Sequence, residues 1–146
     1  MKKINFEDGV TKGNATTFNQ MQTNIENAIN GIVESGSNEN GSWTKWEDGT
    51  MVCRQTIPTG DVALNTTWGS LYVHSNTDNH NFPQPFIEKP ELYIETGIVN
   101  NSMGYWLGDY GNRHITKEFW RGWCLMRPSS ATVNTELFVL AIGKWK

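Results

Sequence analysis

The stretch GSWTKWEDGTMVC, residues 41–53, decides how the rest of the chain is read. Asp48-Gly49 suits the left-handed backbone of a two-residue hairpin turn, and bulky or β-branched side chains flank it on both arms. Such a turn pairs Trp46 with Met51 and Thr44 with Cys53 on one face. It pairs Lys45 with Val52 and Trp43 with Arg54 on the other. Met51 and Cys53 mark the first face as core, so Trp46 is expected inside. Trp43 is expected outside, its ring against the Arg54 guanidinium or at a subunit contact. Neither ring is a first choice for a ligand platform.

Further strands follow on the carboxyl side. GSLYVHSN (69–76) alternates Leu71 and Val73 with Tyr72 and His74, and PELYIETGIV (90–99) alternates Leu92 and Ile94 with Tyr93 and Glu95. FWRGWCLMRP (119–128) is ring-rich and stops at a proline. TELFVLAIGKW (135–145) is apolar on both faces, which fits a central strand or one facing a neighbouring subunit. Short strands separated by turn signals, without a second helix, predict a mainly β fold, an antiparallel β-sandwich preceded by a short N-terminal α-helix.

That helix is read from the amino-terminal side. Phe18, Met21, Ile25, Ala28 and Ile32 are spaced three, four, three and four apart, a heptad seam. Thr17 with Gln20 fits a capping box and Gly36 a carboxyl stop. The intervening Asn and Thr are poor helix formers, so the seam needs something to pack on. Two partners are open: the chain's own domain, or sister helices in a three-chain bundle. ESGSNENGS then reads as a hinge-like linker. The organisation expected is a segment 1–36, extended and then helical, serving trimerisation or attachment, and a β-sandwich head 37–146.

The 146 residues include seven Trp, six Phe and four Tyr although only 37% are hydrophobic, so the apolar mass sits in a few large rings. Fifteen acidic and twelve basic residues give a net charge of −3. No Lys/Arg cluster is present to displace counterions from a phosphate backbone, which argues against nucleic-acid binding. No stretch has the length of a membrane span, and MKKINFEDGV has no signal-like apolar run. Cys53 and Cys124 fit buried free thiols in strands. His74, His80 and His114 match no zinc spacing, and SNTDNHN (75–81) fits an Asx-rich turn better than a calcium loop. No cofactor or metal is expected. No nucleophile elbow, phosphate cradle or Ser/His/Asp pattern is present, so binding is expected rather than catalysis.

The polar segment MGYWLGDYGNRHITKEFW (103–120) carries the candidate site. Trp106 and Tyr110 offer ring faces, while Asp109, Asn112, Arg113 and His114 offer directional hydrogen bonds. That mixture suits a sugar, whose C–H face stacks on rings and whose hydroxyls need planar partners. Tyr105 is assigned to the core. The competing reading is a plain hairpin with solvated charges.

Two resemblances extend these readings. INFEDGVTKGNATTFNQMQTNIENAINGI followed by NGSWTKWEDGTMVC, with the ending LAIGKWK, resembles minor structural and tail-tip proteins of bacteriophages infecting Gram-positive bacteria. FPQPFIEKPELYIET (82–96), EFWRGWCLM and ELFVLAIG (136–143) are similar to the H-type lectin pattern. The second resemblance implies a six-stranded antiparallel sandwich, assembled as a homotrimer with sugar held near subunit seams. Together they imply a virion tail-tip protein assembled in the bacterial cytoplasm. Its partners would be other tail or baseplate proteins and a host cell-surface glycan. The alternatives are a purely structural trimer and, from another class, a glycan depolymerase using carboxylates such as Asp61, Asp109 and Glu118.

Overall fold

The structure is a computed structural model that describes residues 15–29, 31–99 and 104–146, excluding the side chains of Ala15, Thr17, Asn27, Ala28, Ile29, Ile98, Tyr110 and Asn112. A helix α1 (Ala15–Ile29) precedes ten strands: β1 (Ile32–Asn38), β2 (Gly41–Trp46), β3 (Thr50–Leu64), β4 (Thr66–Trp68), β5 (Leu71–Asn76), β6 (His80–Asn81), β7 (Glu91–Ile98), β8 (Trp106–Ile115), β9 (Phe119–Arg127) and β10 (Ala131–Lys144). The first sheet has the order β1-β2-β3-β10-β7. The second runs β4-β5-β9, with β6 continuing beside the start of β9 and β8 pairing along it. All pairings are antiparallel. Rings and aliphatic side chains from both sheets share one core, so the fold is the expected antiparallel β-sandwich.

The hairpin at 41–53 forms with a different register. Its turn uses three residues, Glu47 to Gly49, closed by Gly49 N–H donating to Trp46 O at 3.0 Å. Gly49 has φ 86°, and Thr50 N–H donates to Asp48 Oδ1 at 2.8 Å. The extra residue moves the pairing by one: Trp43 faces Cys53 and Lys45 faces Met51. A one-residue slip exchanges the faces of a strand. Trp43 therefore packs on the core margin, while Trp46 turns to the other face, paired across β1 with Ile32. The expected Trp43–Arg54 contact is replaced. Trp43 Nε1–H donates to Glu34 Oε1 at 2.8 Å, and its ring fills the space over Gly36. The cation–π contacts lie instead around Trp145, with Lys45 and Lys146 Nζ at 5.5 and 5.1 Å from its ring.

A second correction concerns residues 31–42. The helix ends at Ile29, and the stretch expected as its last turn and a linker is strand β1 and its turn into β2. Gly36 is thus a strand residue, and Ile32 belongs to the sheet rather than to the seam. Its exposed side chain is separated from the helical Phe18, Met21 and Ile25, which are 36%, 53% and 53% exposed. Ala28 lies in the helix, with its side chain outside the described residues. None of the principal contacts between elements involves α1.

β10 holds the middle of the first sheet, paired with β3 on one edge and β7 on the other. Its inward residues Val133, Thr135, Leu137, Val139 and Ala141 are at most 4% exposed. The central-strand reading holds. On β9, Gly122 with φ 89° resets the alternation, letting Trp120, Trp123 and Leu125 all reach the core. The FPQPF loop (82–86) closes one end, its two phenylalanines meeting edge to face at 5.2 Å. Cys53 and Cys124 are both buried and free.

Candidate functional site

The candidate segment is mostly strand. β8 pairs with β9 from Trp106 to Asp109 and again at His114 and Ile115. Between these runs, residues 110–113 stand opposite Gly122 alone. A bulge of this kind re-aims side chains at a sheet margin. Its two ends are drawn together by an ion pair between Asp109 Oδ1 and Arg113 Nη1.

Pairing across the second sheet aligns Thr66, Val73, Met126 and Trp106 in one row, and Ser75, Cys124 and Gly108 in the next. These rows form the outer face. A Cβ on Gly108 would come within 2.5 Å of Met126 Cε and 3.2 Å of Cys124 Sγ, so the missing side chain leaves their room and keeps the floor low. Trp68 stands two residues beyond Thr66 on the same face and is 64% exposed, while Trp106 at the far end is 57% exposed. Three strand spacings place the rows' ends roughly 14 Å apart. Against Trp68 lies a groove of about 560 Å³ lined also by Thr66, Val73, Ser75, Asp109 and Cys124, and Trp106 stands outside its lining. On the core side of β8, a separate cavity of about 340 Å³ is lined by Ile94, Leu107, Asp109, Arg113 and Trp123.

Of the six sequence-chosen residues, two line these hollows: Asp109 lines both and Arg113 the smaller one. Trp106 stands on the same face of the sheet as the groove but lines neither hollow. His114 lines neither; it sits beyond the bulge opposite Arg121, its ring 6.1 Å from Phe119. Tyr110 and Asn112 occupy the bulge, with side chains outside the described residues. Tyr105 packs on the core as expected and hydrogen-bonds Thr135 through its hydroxyl. Trp68 escaped the sequence reading. Its signal was the pattern Thr66-x-Trp68 ahead of the Gly69-Ser70 turn: a large ring whose only same-face neighbour on its strand is polar. Cys124 was not foreseen under the groove; burial raises its thiol pKa, so it is a neutral, inert floor.

Among the described residues, no group of three or more His, Cys, Asp or Glu side chains is arranged to hold a metal ion. None of the described helices is long and apolar enough to cross a membrane. The 75–81 turn is of the Asx type, Asp78 N–H donating to Asn76 Oδ1 at 2.9 Å.

No family model and no curated protein matches the chain. Among solved structures, it is similar to an N-truncated R1-type pyocin tail fibre, with 16% identity and a TM-score of 0.46 over 91% of this chain and 99% of that one. It is also similar to a C-terminal fragment of the P. aeruginosa R1 pyocin fibre, with 14% identity and a TM-score of 0.47 over 98% of this chain and 40% of that one. Neither score is high enough to establish a shared fold.

Proposed function

We propose that the chain is the adhesive tip of a phage or prophage tail fibre, binding host cell-surface glycan in the groove of the second sheet. The observation that carries this reading is a groove on the outer face walled by the exposed ring of Trp68 and by Thr66, Ser75 and Asp109, with the exposed Trp106 on the same face of the sheet. Exposed indoles at this density are costly in water unless a ligand covers them, and their flat faces match the C–H face of a pyranose. Asp109, Ser75 and Thr66 supply acceptors and donors for hydroxyls. The groove is wider than one sugar ring, which suits an oligosaccharide. The role is binding, without a catalytic step or cofactor.

The assembly in this proposal is a homotrimer with an H-type lectin-like arrangement. The outer face of the first sheet supports it. Phe138, Leu140 and Ile142 run along β10 as an apolar strip. Arg54 flanks it on β3, and Glu91, Tyr93 and Glu95 flank it on β7. Opposite charges on the two flanks suit a head-to-tail ring, Arg54 of one copy meeting Glu95 of the next. The exposed Met21 and Ile25 add a helical seam. Three weak sites per fibre then multiply residence through effective concentration. Assembly in a bacterial cytoplasm and docking on tail or baseplate proteins complete the proposal.

The test is a glycan array of Gram-positive wall polymers, probed with the full chain whose mass has been measured by light scattering. Binding that is lost in Trp68→Ala and Trp106→Ala supports the adhesin. Intact trimers without binding to any wall polymer overturn it in favour of a purely structural role.

A further inference from the structure

A second polar hollow lies at the end of the sandwich and shares no lining residue with the tryptophan groove. There the β1–β2 tip meets β6 around a space of about 520 Å³. Its walls are clamped by one buried side chain. Gln55, 7% exposed, donates through Nε2 to Asn40 O at 2.8 Å and to Asn81 O at 2.7 Å. Its Oε1 accepts from Trp120 Nε1–H at 2.9 Å. Gly41 completes the tip with φ 127°, where a Cβ would come within 2.2 Å of Arg54 O. The two walls are therefore fixed before any ligand arrives, which lowers the ordering cost of binding.

The chemistry of the lining narrows the ligand. Ser42, Thr56, Asn79 and His80 face the space together with a single carboxylate, Glu39, and no lysine or arginine, while Asn38 holds the tip by donating to Pro83 O and accepting from Asn40 N–H. An anion finds no counter-charge there, and an apolar ligand finds little to cover. Amides and hydroxyls offer paired donors and acceptors, which match adjacent hydroxyls on a ring. His80 adds one flat surface. Its ring lies 4.5 Å from that of Trp120, and its Nε2 accepts from Trp123 Nε1–H at 3.3 Å, which leaves the proton on Nδ1. Burial holds this imidazole neutral by pushing its pKa down.

We propose that this hollow is a separate binding site for a neutral saccharide, built from the β1–β2 tip and β6 and held open by Gln55. It does not depend on the groove of the second sheet. The experiment titrates the full-length protein with glucose, galactose and N-acetylglucosamine into the millimolar range, following backbone amide signals by NMR. Saturable shifts at Gly41, Ser42 and Asn79 to Asn81 with at least one sugar are expected. These should weaken about tenfold in Asn79→Ala or Thr56→Val and persist in Trp68→Ala, since a tenfold change is about 1.4 kcal/mol, the size of a lost hydrogen bond. Both altered residues lie at the surface, so folding is not at issue as it would be for Gln55→Leu. Absence of shifts there with all three sugars overturns the proposal, as do shifts that survive both substitutions or disappear in Trp68→Ala.

Discussion

The two outer faces of this sandwich come from the same alternation and differ in what they leave exposed. On the first sheet the outward residues of β10 are Phe138, Leu140 and Ile142, a nearly dry strip with charges at its margins. On the second sheet Trp68 and Trp106 stand exposed and apart, and Thr66, Ser75 and Asp109 line a groove with Trp68. A continuous apolar strip fits another protein surface. Separated rings with polar groups between them fit a ligand that is itself part apolar and part hydroxylated. The difference teaches that the surface chemistry here is set by the residues that strand periodicity assigns away from the core.

Substitutions can break that contrast, and the largest effect is expected where the faces share support. Trp120 is fully buried and tied to Gln55, so Trp120→Ala should cost about 3–5 kcal/mol and be visible as a lowered midpoint in urea unfolding. It would impair both faces together. Leu140→Lys acts on one face alone. The scattering mass should fall roughly threefold while the melting temperature changes little, because the side chain lies on the outer side. Trp68→Ala and Trp106→Ala act on the other. Each should weaken glycan binding about tenfold, near 1.4 kcal/mol, with unfolding unaltered within about 0.5 kcal/mol. If Leu140→Lys abolished binding of a monovalent oligosaccharide, or if the tryptophan variants dissociated the proposed trimer, the proposed division of labour would be wrong.

A smaller, pH-dependent effect checks the inner layer. Burial pushes the Cys53 thiol up to about 11 from an ordinary 9.0. An acid whose folded pKa is raised contributes stability that is complete below the unfolded value and lost as pH rises through the folded one. Stability should therefore decline between about pH 9 and 11, and Cys53→Ala should flatten that slope in urea titrations followed by tryptophan fluorescence.

Much of the architecture was legible because burial enforces period two. β5, β7, β9 and β10 fall where alternation placed them, within a few residues. The hairpin faces did not, since Asp48-Gly49 fits both a two-residue turn and a three-residue one, and only tertiary packing of Trp43 against Gly36 distinguishes them. β1 was missed because Ser, Gly and Asn carry no strand preference; its ladder with β2 supplies the order that its side chains lack. The site was half legible. Ring-and-polar chemistry in 103–120 pointed to Trp106, Asp109 and Arg113, but Trp68 and the Gln55 clamp depend on strands brought together from distant sequence. His114 stands apart from the two hollows because four residues bulge out before it, which counting along the chain does not reveal.

That bulge has a consequence for how the protein can change. Residues 110–113 are bracketed by paired residues on both sides and stand against one glycine, so their number is uncoupled from the packing beneath. Insertions and deletions there would leave the interior undisturbed while reshaping the rim beside Asp109. Such a position allows the rim to vary, one residue at a time, on an unchanged frame.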